Sequence, residues 1–280
     1  MKSVRTLAAA TLAASALIAG PWLTAAPAGA EPVHTKAVFT EDFDGAAGSG
    51  VDGSRWTQET GDNVNNHERQ WYTDGTNNAQ LDGNGNLVIT AKKENPGGYN
   101  CWYGSCEYTS ARLNTAEKFT TTYGRVEARI KVPQGQGMWP AFWMLGEDIG
   151  SAGWPNCGEI DVMENVGFEP NTVHGTIHGP GYSGAGGIGA GYTLPSGNFS
   201  DDFHTFAVDW SPEKIVWSVD GNEYQTRTPA DLNGNQWVFD HPHFVILNLA
   251  VGGDWPGDPD GNTQFPQQMT VDYVHVTGGN

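Results

Sequence analysis

The chain has 280 residues with 32 acidic and 14 basic side chains, which give a formal net charge of −18 at pH 7. Nucleic acids and sulfated polysaccharides are bound by basic patches, so this charge balance disfavours both and is better suited to a neutral substrate. The length allows two small domains or one large all-β domain.

Residues 1–30 have the pattern of an export signal. Lys2 and Arg5 precede an apolar run, and the segment ends in Ala-Gly-Ala, a small-residue cleavage pattern. A membrane anchor is the alternative, but the run is short, contains Pro21 and lacks basic stop-transfer residues after it. We therefore predict a secreted, extracellular protein whose mature chain, 31–280, is a single domain without a membrane partner. Loss of the two basic residues takes the net charge from −18 to −20.

Short strands are predicted along the rest of the chain. The clearest lies at 123–133, where Val126, Ala128 and Ile130 alternate with charged residues, as in a strand with one buried and one solvated face. Further strands are predicted at 87–90, 206–210, 215–219, 269–276 and the apolar run His243–Val251, with a hairpin turn at Asp220-Gly221. Clusters of glycine, asparagine and proline separate the strands, without helical crossovers. This pattern predicts an all-β fold, either a β-sandwich or a closed barrel.

Three cysteines leave one without a partner if the chain is exported. Cys101 and Cys106 bracket a short loop that a disulfide could close, which leaves Cys157 as a buried free thiol. The alternative is that all three are reduced. No cysteine spacing resembles a zinc site.

Three acids alternate with aliphatic residues in GEIDVMENVG, 158–167. In a regular strand Glu159 and Asp161 would share one face, and Glu164 would lie on the other among aliphatic side chains, where an unpaired carboxylate is costly. A β-bulge near residues 162–163 would shift the phase, so that all three acids point outward and the aliphatic side chains stay in the core. The alternative is a sheet edge whose acids only keep it soluble.

Tryptophans flank these acids. Trp139 and Trp143 precede them and Trp255 follows, and indole rings stack on the apolar faces of sugars, which favours a polysaccharide cleft. A pair of glutamates in such a cleft suits a glycosidase. The strand spacing admits both the separation of about 5–5.5 Å of retaining enzymes and the roughly 6.5–9.5 Å of inverting ones, so it leaves the stereochemistry open.

Two later motifs could indicate a cofactor. His174 and His178 would share a strand face and could mimic a metal pair, but no acidic or cysteine ligand lies at a recognisable spacing, so hydrogen bonding in a cleft is favoured. The segment GAGGIG, 184–189, matches the dinucleotide fingerprint, but no βαβ unit surrounds it and we interpret it as a flexible loop. A G-x-S-x-G elbow is absent, which argues against a serine hydrolase.

The segment G-E-I-D-V-M-E, preceded by W-P-A-F-W-M-L, resembles glycoside hydrolase family 16, in its laminarinase branch. The likeness extends to 41–43, 66–73, 108–113 and 271–274. It implies a concanavalin A-like jelly-roll β-sandwich with a concave cleft, and retaining endo-hydrolysis of β-1,3-glucans such as laminarin. The partner is then a neutral β-glucan, no cofactor is needed for catalysis, and we expect a monomer.

The resemblance also implies individual roles. Glu159 corresponds to the nucleophile, Glu164 to the general acid/base, and Asp161 to the residue that orients the nucleophile. The implied sugar contacts are Asn66, Arg112, Trp139, Trp143, His178 and Trp255. Arg112 has a structural ion pair as its alternative role. Ala111 and His67 stand where the family often has glycine and asparagine, which affects the details of subsites.

Some members of this family bind a structural calcium ion on the convex side. Asp42, Gly85 and Asp272 match its ligands, with a plain turn at 82–85 and a surface charge at Asp272 as the alternative. The resemblance leaves three other functions to weigh: a mixed-linkage β-1,3-1,4-glucanase, a transglycosylase, and a non-catalytic glucan-binding protein. The presence of all three acids argues against the last.

Overall fold

A computed structural model describes residues 37–278, so the predicted export signal lies outside the described residues. The strands are, in chain order, β1 (Ala37–Glu41), β2 (Thr57–Gln58), β3 (Gln70–Tyr72), β4 (Ala79–Leu81), β5 (Leu87–Ala91), β6 (Asn100–Cys101), β7 (Gly104–Ser105), β8 (Tyr108–Ser110), β9 (Arg112–Asn114), β10 (Gly124–Lys131), β11 (Met138–Gly146), β12 (Glu159–Asn165), β13 (Thr172–His178), β14 (Ile188–Thr193), β15 (His204–Ser211), β16 (Lys214–Val219), β17 (Asn222–Arg227), β18 (His243–Val251) and β19 (Gln267–Thr277). One α-helical turn, α1 (Ile149–Ala152), and three 3-10 turns, Val64–Asn66, Gly184–Gly186 and Pro229–Leu232, lie in the connections. None of the helices between residues 37 and 278 has the length and apolar character needed to cross a bilayer.

Most strands belong to two antiparallel sheets. The outer sheet has the order β17-β16-β15-β10-β19-β5-β4, and β1 also pairs with β19. The second sheet, which we call the cleft sheet, has the order β14-β13-β12-β11-β18-β9-β2. Neighbours such as β10 and β19, or β11 and β18, are distant in sequence, as in Greek-key and jelly-roll connections. The fold is a jelly-roll β-sandwich, which confirms the predicted all-β class and excludes the closed barrel.

The core lies between the two sheets. β10 buries Val126, Ala128 and Ile130 and turns its charged residues outward, as the alternation predicts. All nine residues of β18 are buried, because one face belongs to this core and Phe244 and Ile246 on the other face belong to a smaller cluster with α1. The continuous apolar run of this strand therefore reflects cover on both faces.

The predicted strands are present, with ends that differ by a few residues. Asp220 and Gly221 form the predicted hairpin turn, with φ of 50° and 77°, the positive values that such two-residue turns require. The prediction of a flexible loop over GAGGIG is wrong for its last two residues: Gly184–Gly186 forms a 3-10 turn in the connection, and β14 begins at Ile188. As an edge strand, β14 has no fully buried residue, and its Ile188 and Tyr192 pack only partly against the core, so its apolar signal is weak.

Candidate active site

A bulge interrupts β12 at the acid-rich segment, as predicted. On β11, Phe142 pairs with Met163 and Trp143 pairs with Asp161, which leaves Val162 without a partner. The pairing with β13 also shifts within this stretch, between Asp161 and Glu164. Val162 and Met163 both contribute to the core, so the extra residue is absorbed on the buried side.

The bulge brings all three acids to the concave face of the cleft sheet. Residues directly opposite each other on paired strands share a face. Glu159, Asp161 and Glu164 lie opposite alternate residues of the regular strand β11, namely Leu145, Trp143 and Ala141. On the other side they lie opposite His178, Thr176 and His174 of β13.

Glu159 lies among hydrogen-bond donors. The indole Nε1 of Trp154 donates to its Oε2 at 2.7 Å, and Nε2 of His178 lies 3.8 Å from its Oε1. Its side chain is 17% exposed. Burial, and next the charge of Asp161, raises the pKa of Glu159 to about 8.

Asp161 is the most buried acid of the three. Its Oδ2 lies 3.1 Å from Nε2 of His178, and its backbone carbonyl accepts a hydrogen bond from Nε1 of Trp217 at 2.8 Å. Burial raises the pKa of this carboxyl. One oxygen each of Glu159 and Asp161 and a ring nitrogen of His178 lie within 4.8 Å of one another, so these three could hold a metal ion. His174 does not belong to this group, and its Nε2 lies 3.0 Å from Oε2 of Glu169.

Glu164 lies under an aromatic cluster. Nε1 of Trp139 donates to its Oε1 at 3.0 Å. Burial, and next repulsion by Asp161, raises the pKa of Glu164 well above its ordinary value. The Trp255 ring meets those of Trp139 and His174 edge to face, with centroids 5.7 and 5.1 Å apart. These rings form an apolar wall beside the carboxyl.

Arg112 of β9 lies opposite Asn248 on this face, and Asn66 lies in the 3-10 turn Val64–Asn66. The Arg112 guanidinium lies 4.8 Å above the Trp143 ring, and its Nε lies 3.0 Å from Oε2 of Glu59, so it has both the cleft position and the ion pair that we considered. The side-chain amide of Asn66 donates a hydrogen bond to Glu68 at 3.2 Å. The backbone carbonyl of Asn66 accepts one from the backbone N–H of Asp254 at 3.0 Å.

Residues 65–275 match the family model for glycosyl hydrolases family 16. The chain belongs to this family. It is 41% identical to a beta-glucanase of Rhodothermus marinus over 257 residues. This alignment covers 87% of this chain and 85% of the relative. The laminarinase catalytic domain of Thermotoga maritima has a TM-score of 0.81 and 46% identity, covering 88% of this chain and 99% of that one. The endo-beta-1,3-glucanase of Pyrococcus furiosus has a TM-score of 0.80 and 48% identity, and the match covers 87% of this chain and 94% of that one.

Sequence reasoning missed a polar network beneath the cleft of this family 16 chain. The buried Glu68 accepts hydrogen bonds from Gln70 at 2.6 Å and Tyr72 at 3.0 Å. The Tyr72 hydroxyl accepts from Asn248 at 3.1 Å, and the Asn248 amide oxygen accepts from Nε1 of Trp143 at 2.8 Å. The network therefore fixes the tilt of the Trp143 ring. Polar residues at alternate positions from 66 to 72 were a signal for it.

Trp154 was missed as well. It is 48% exposed, yet its indole donates to Glu159, five residues further along the chain. The motif G-W-P-N-C-G directly before the acids contains it, but only the course of the loop between β11 and β12 brings the ring back over the carboxylate.

Two of the three predicted calcium ligands, Asp42 and Gly85, lie close to each other. A Cβ added to Gly85 would lie 3.7 Å from the carbonyl oxygen of Asp42, so these two backbones meet. The carboxylate of Asp42 lies 2.6 Å from His275, and Oδ2 of Asp272 lies 2.6 Å from Arg129.

The cysteines are paired as the sequence suggests. Cys101 and Cys106 are joined by a disulfide, and Cys157 is a buried free thiol. Burial, and next the nearby acids, raises the pKa of the Cys157 thiol to about 11, which disfavours the reactive thiolate.

Proposed function

We propose that this chain is a retaining endo-β-1,3-glucanase. The observation that carries the proposal is the bulge in β12, which places Glu159, Asp161 and Glu164 on one concave face between Trp139 and Trp154. The β-1,3 linkage of the substrate is inferred from the names of the similar proteins. The open concave face suits an internal stretch of a polysaccharide, which favours endo cleavage.

The surroundings of the carboxyls support different roles for the two glutamates. The indole of Trp154 donates to Glu159 and Nε2 of His178 lies near both Glu159 and Asp161, whereas Glu164 receives one hydrogen bond, from Trp139, and is half-buried and repelled by Asp161. Because neighbouring carboxyls ionise in turn, the first negative charge resides on the Glu159–Asp161 pair and the last proton on Glu164. Glu159 is thus the nucleophile and Glu164 the acid.

The first step forms a covalent intermediate. The carboxylate of Glu159 attacks the anomeric carbon and a C–O bond forms, while the glycosidic C–O bond breaks and Glu164 gives its proton to the departing oxygen. Esterification removes the negative charge of Glu159. This lowers the pKa of Glu164, which is left as a carboxylate able to act as base.

The second step regenerates the enzyme. Glu164 takes a proton from water as the water oxygen attacks the anomeric carbon, and the ester bond to Glu159 breaks with return of its carboxylate. Two inversions give net retention. Asp161 and His178 act as positioning residues, since they contact Glu159 and each other at the base of the site.

The proposed sugar contacts surround the acids on this face. The indoles of Trp139, Trp143 and Trp255 supply stacking surfaces, and Asn66, Arg112 and His178 supply polar groups for sugar hydroxyls. Chromatography of laminarin digests tests the activity: a ladder of oligosaccharides at early times is expected, with Glu159→Gln as the inactive control. Glucose as the only early product would contradict endo cleavage.

The same digests distinguish the other functions that the fold allows. Faster release of reducing sugar from mixed-linkage β-1,3-1,4-glucan than from laminarin would make that glucan the preferred substrate. Products longer than a defined oligosaccharide substrate would show transglycosylation. Binding of laminarin without release of reducing sugar would identify a glucan-binding protein.

We propose that the protein is exported and acts outside the cell as a monomer. The supporting observations are the charged, apolar and small-residue pattern of residues 1–30 and the disulfide Cys101–Cys106, a bond typical of oxidising compartments. N-terminal sequencing of protein from the culture medium should begin at Glu31, and light scattering should give the mass of one chain. Recovery of the intact N-terminus inside the cell would contradict export.

We also propose a structural calcium ion held by the backbone carbonyls of Asp42 and Gly85 and by the carboxylate of Asp272. The meeting of the first two backbones supports the site, and carbonyl and carboxylate oxygens are the ligands that calcium prefers. Oδ2 of Asp272 is in an ion pair with Arg129, and the other oxygen, Oδ1, would be its ligand to the ion. No step of the reaction depends on it.

A further inference from the structure

An open depression of about 490 Å³ lies beside the cleft, a size common for small-ligand sites. It is lined by His67, Arg69, Trp102, Gly253, Asp254 and Asp258. Gly253 connects it to the cleft: a Cβ at this position would lie 3.4 Å from the Trp139 ring and 3.0 Å from the carbonyl of Asn66. The absence of a side chain at Gly253, where φ is +132°, therefore allows the wall of the depression to meet the proposed sugar contacts closely.

Trp102 presents a rigid apolar surface in this depression. It is 41% exposed, so it is not a core residue. Its backbone N–H donates to Asp62 at 2.7 Å, its indole Nε1 donates to the carbonyl of Glu68 at 2.8 Å, and the preceding residue is held by the disulfide Cys101–Cys106. Because the indole N–H is already bonded, the exposed part offers only its aromatic face and edges, at little entropic cost on binding.

The charged groups around the Trp102 ring are paired with one another. Nδ1 of His67 lies 2.9 Å from Asp254, and Arg69 lies 3.7 Å from Asp258. The Arg69 guanidinium also covers the ring of Tyr103 at 3.9 Å. Because these groups are paired with one another, they offer hydrogen-bond donors and acceptors to a neutral polyhydroxylated ligand.

We propose that this depression is an additional glucosyl-binding subsite, in which a sugar of the same β-glucan chain stacks on Trp102 at a distance from the scissile bond. The proposal rests on the glucanase function proposed above and adds to it a dependence on chain length. Substrates too short to reach Trp102 gain nothing from it, whereas longer ones gain binding energy from a group that does not react.

The test is the hydrolysis of laminaritriose through laminariheptaose by the wild type, Trp102→Ala and Trp102→Tyr. For Trp102→Ala, kcat/KM should equal that of the wild type on the shortest substrate and fall about tenfold on the longest, which corresponds to about 1.4 kcal/mol. The loss should lie in KM. Trp102→Tyr keeps an aromatic face and should restore most of the difference.

The outcomes separate this inference from the proposed function. A wild type that hydrolyses none of the oligosaccharides overturns both. A wild type that is active, with a Trp102→Ala effect that is absent or equal at all lengths, overturns the subsite alone. Trp102→Leu keeps an apolar group and is measured in parallel, with melting temperatures of all variants, so that a folding defect in Trp102→Ala does not decide the result.

Discussion

Strands β10 and β12 both lie within their sheets and both alternate charged with apolar residues, but they use their charges in opposite ways. In β10, Glu127 lies 2.7 Å from Arg125, which also pairs with Asp209 on β15 at 2.6 Å. In β12 the charged residues are all acidic, and the side-chain donors that contact them belong to indole and imidazole groups.

The difference between the two strands shows which charged residues indicate a functional site. Ion pairs on a solvated face contribute little to stability and suit almost any protein. Three carboxyls of one sign in a poorly solvated place cost stability, because burial and mutual repulsion oppose their ionisation. Such an arrangement marks a functional site when it lies in a cleft.

The largest expected effect compares one glutamate from each strand. Glu159→Gln should lower kcat/KM on laminarin on the order of 10³-fold or more, because the nucleophile is lost while the shape is kept. Glu127→Gln, the matched change in β10, should leave the activity within about twofold, since it affects only a surface ion pair. Equal losses in the two variants, measured as reducing sugar released, would remove the distinction between the strands.

The network under the cleft should have a smaller effect on activity. Asn248→Ala leaves the Trp143 indole and the Tyr72 hydroxyl without their partner, so we expect about tenfold lower kcat/KM and a loss of about 1–3 kcal/mol in the free energy of unfolding. Asp209→Asn in the outer sheet should cost less than about 1 kcal/mol and keep full activity. Urea unfolding and initial rates test both. Full activity of Asn248→Ala would show that the network does not position Trp143.

The two strands should also differ in the pH dependence of stability. Burial, and next repulsion by Asp161, raises the pKa of Glu159 from 4.5 to about 8, and the pKa values of Asp161 and Glu164 are raised as well, so over this range the folded carboxyl cluster keeps protons that the unfolded chain has lost. The unfolding free energy should therefore fall as the pH rises from about 4.5 to 8. Glu159→Gln should be more stable than the wild type at pH 8, on the order of 4 kcal/mol, and about equal at pH 4. Glu127→Gln should show no such trend. A pH-independent difference for Glu159→Gln would contradict the assignment.

The smallest expected effect is that of calcium on the outer sheet. Calcium that binds only the folded protein should raise the melting temperature by roughly 2–4 °C for each kcal/mol of binding. Asp272→Asn should lose this response and Glu127→Gln should keep it, while activity is unchanged by chelation in all three proteins. A melting temperature that does not respond to chelation and addition of calcium would exclude the site.

The sequence predicted those features of the fold that depend only on residues close together in the chain. The regular alternation of β10 and the phase conflict at Glu164 were both visible in the sequence, because strand geometry is strictly periodic. The position of Trp154 over Glu159 was not, since it depends on the path of a loop. The contact between Tyr72 and Asn248, which lie 176 positions apart, was hidden for a similar reason. It depends on the packing of separate strands, which no local pattern reports.

Glu159 and Glu164 have different roles in the proposed reaction, and azide rescue tests this assignment most directly. The substrate is an aryl laminari-oligoside whose leaving group needs no protonation. Glu164→Ala should still form the intermediate on Glu159, so azide attack should give the β-glycosyl azide by net retention. Glu159→Ala has no nucleophile, so azide should give the α-glycosyl azide by a single inversion. Proton NMR of the anomeric centre distinguishes the products. The β-azide from Glu164→Ala together with the α-azide from Glu159→Ala is the predicted result, and the exchanged outcome would contradict the assignment.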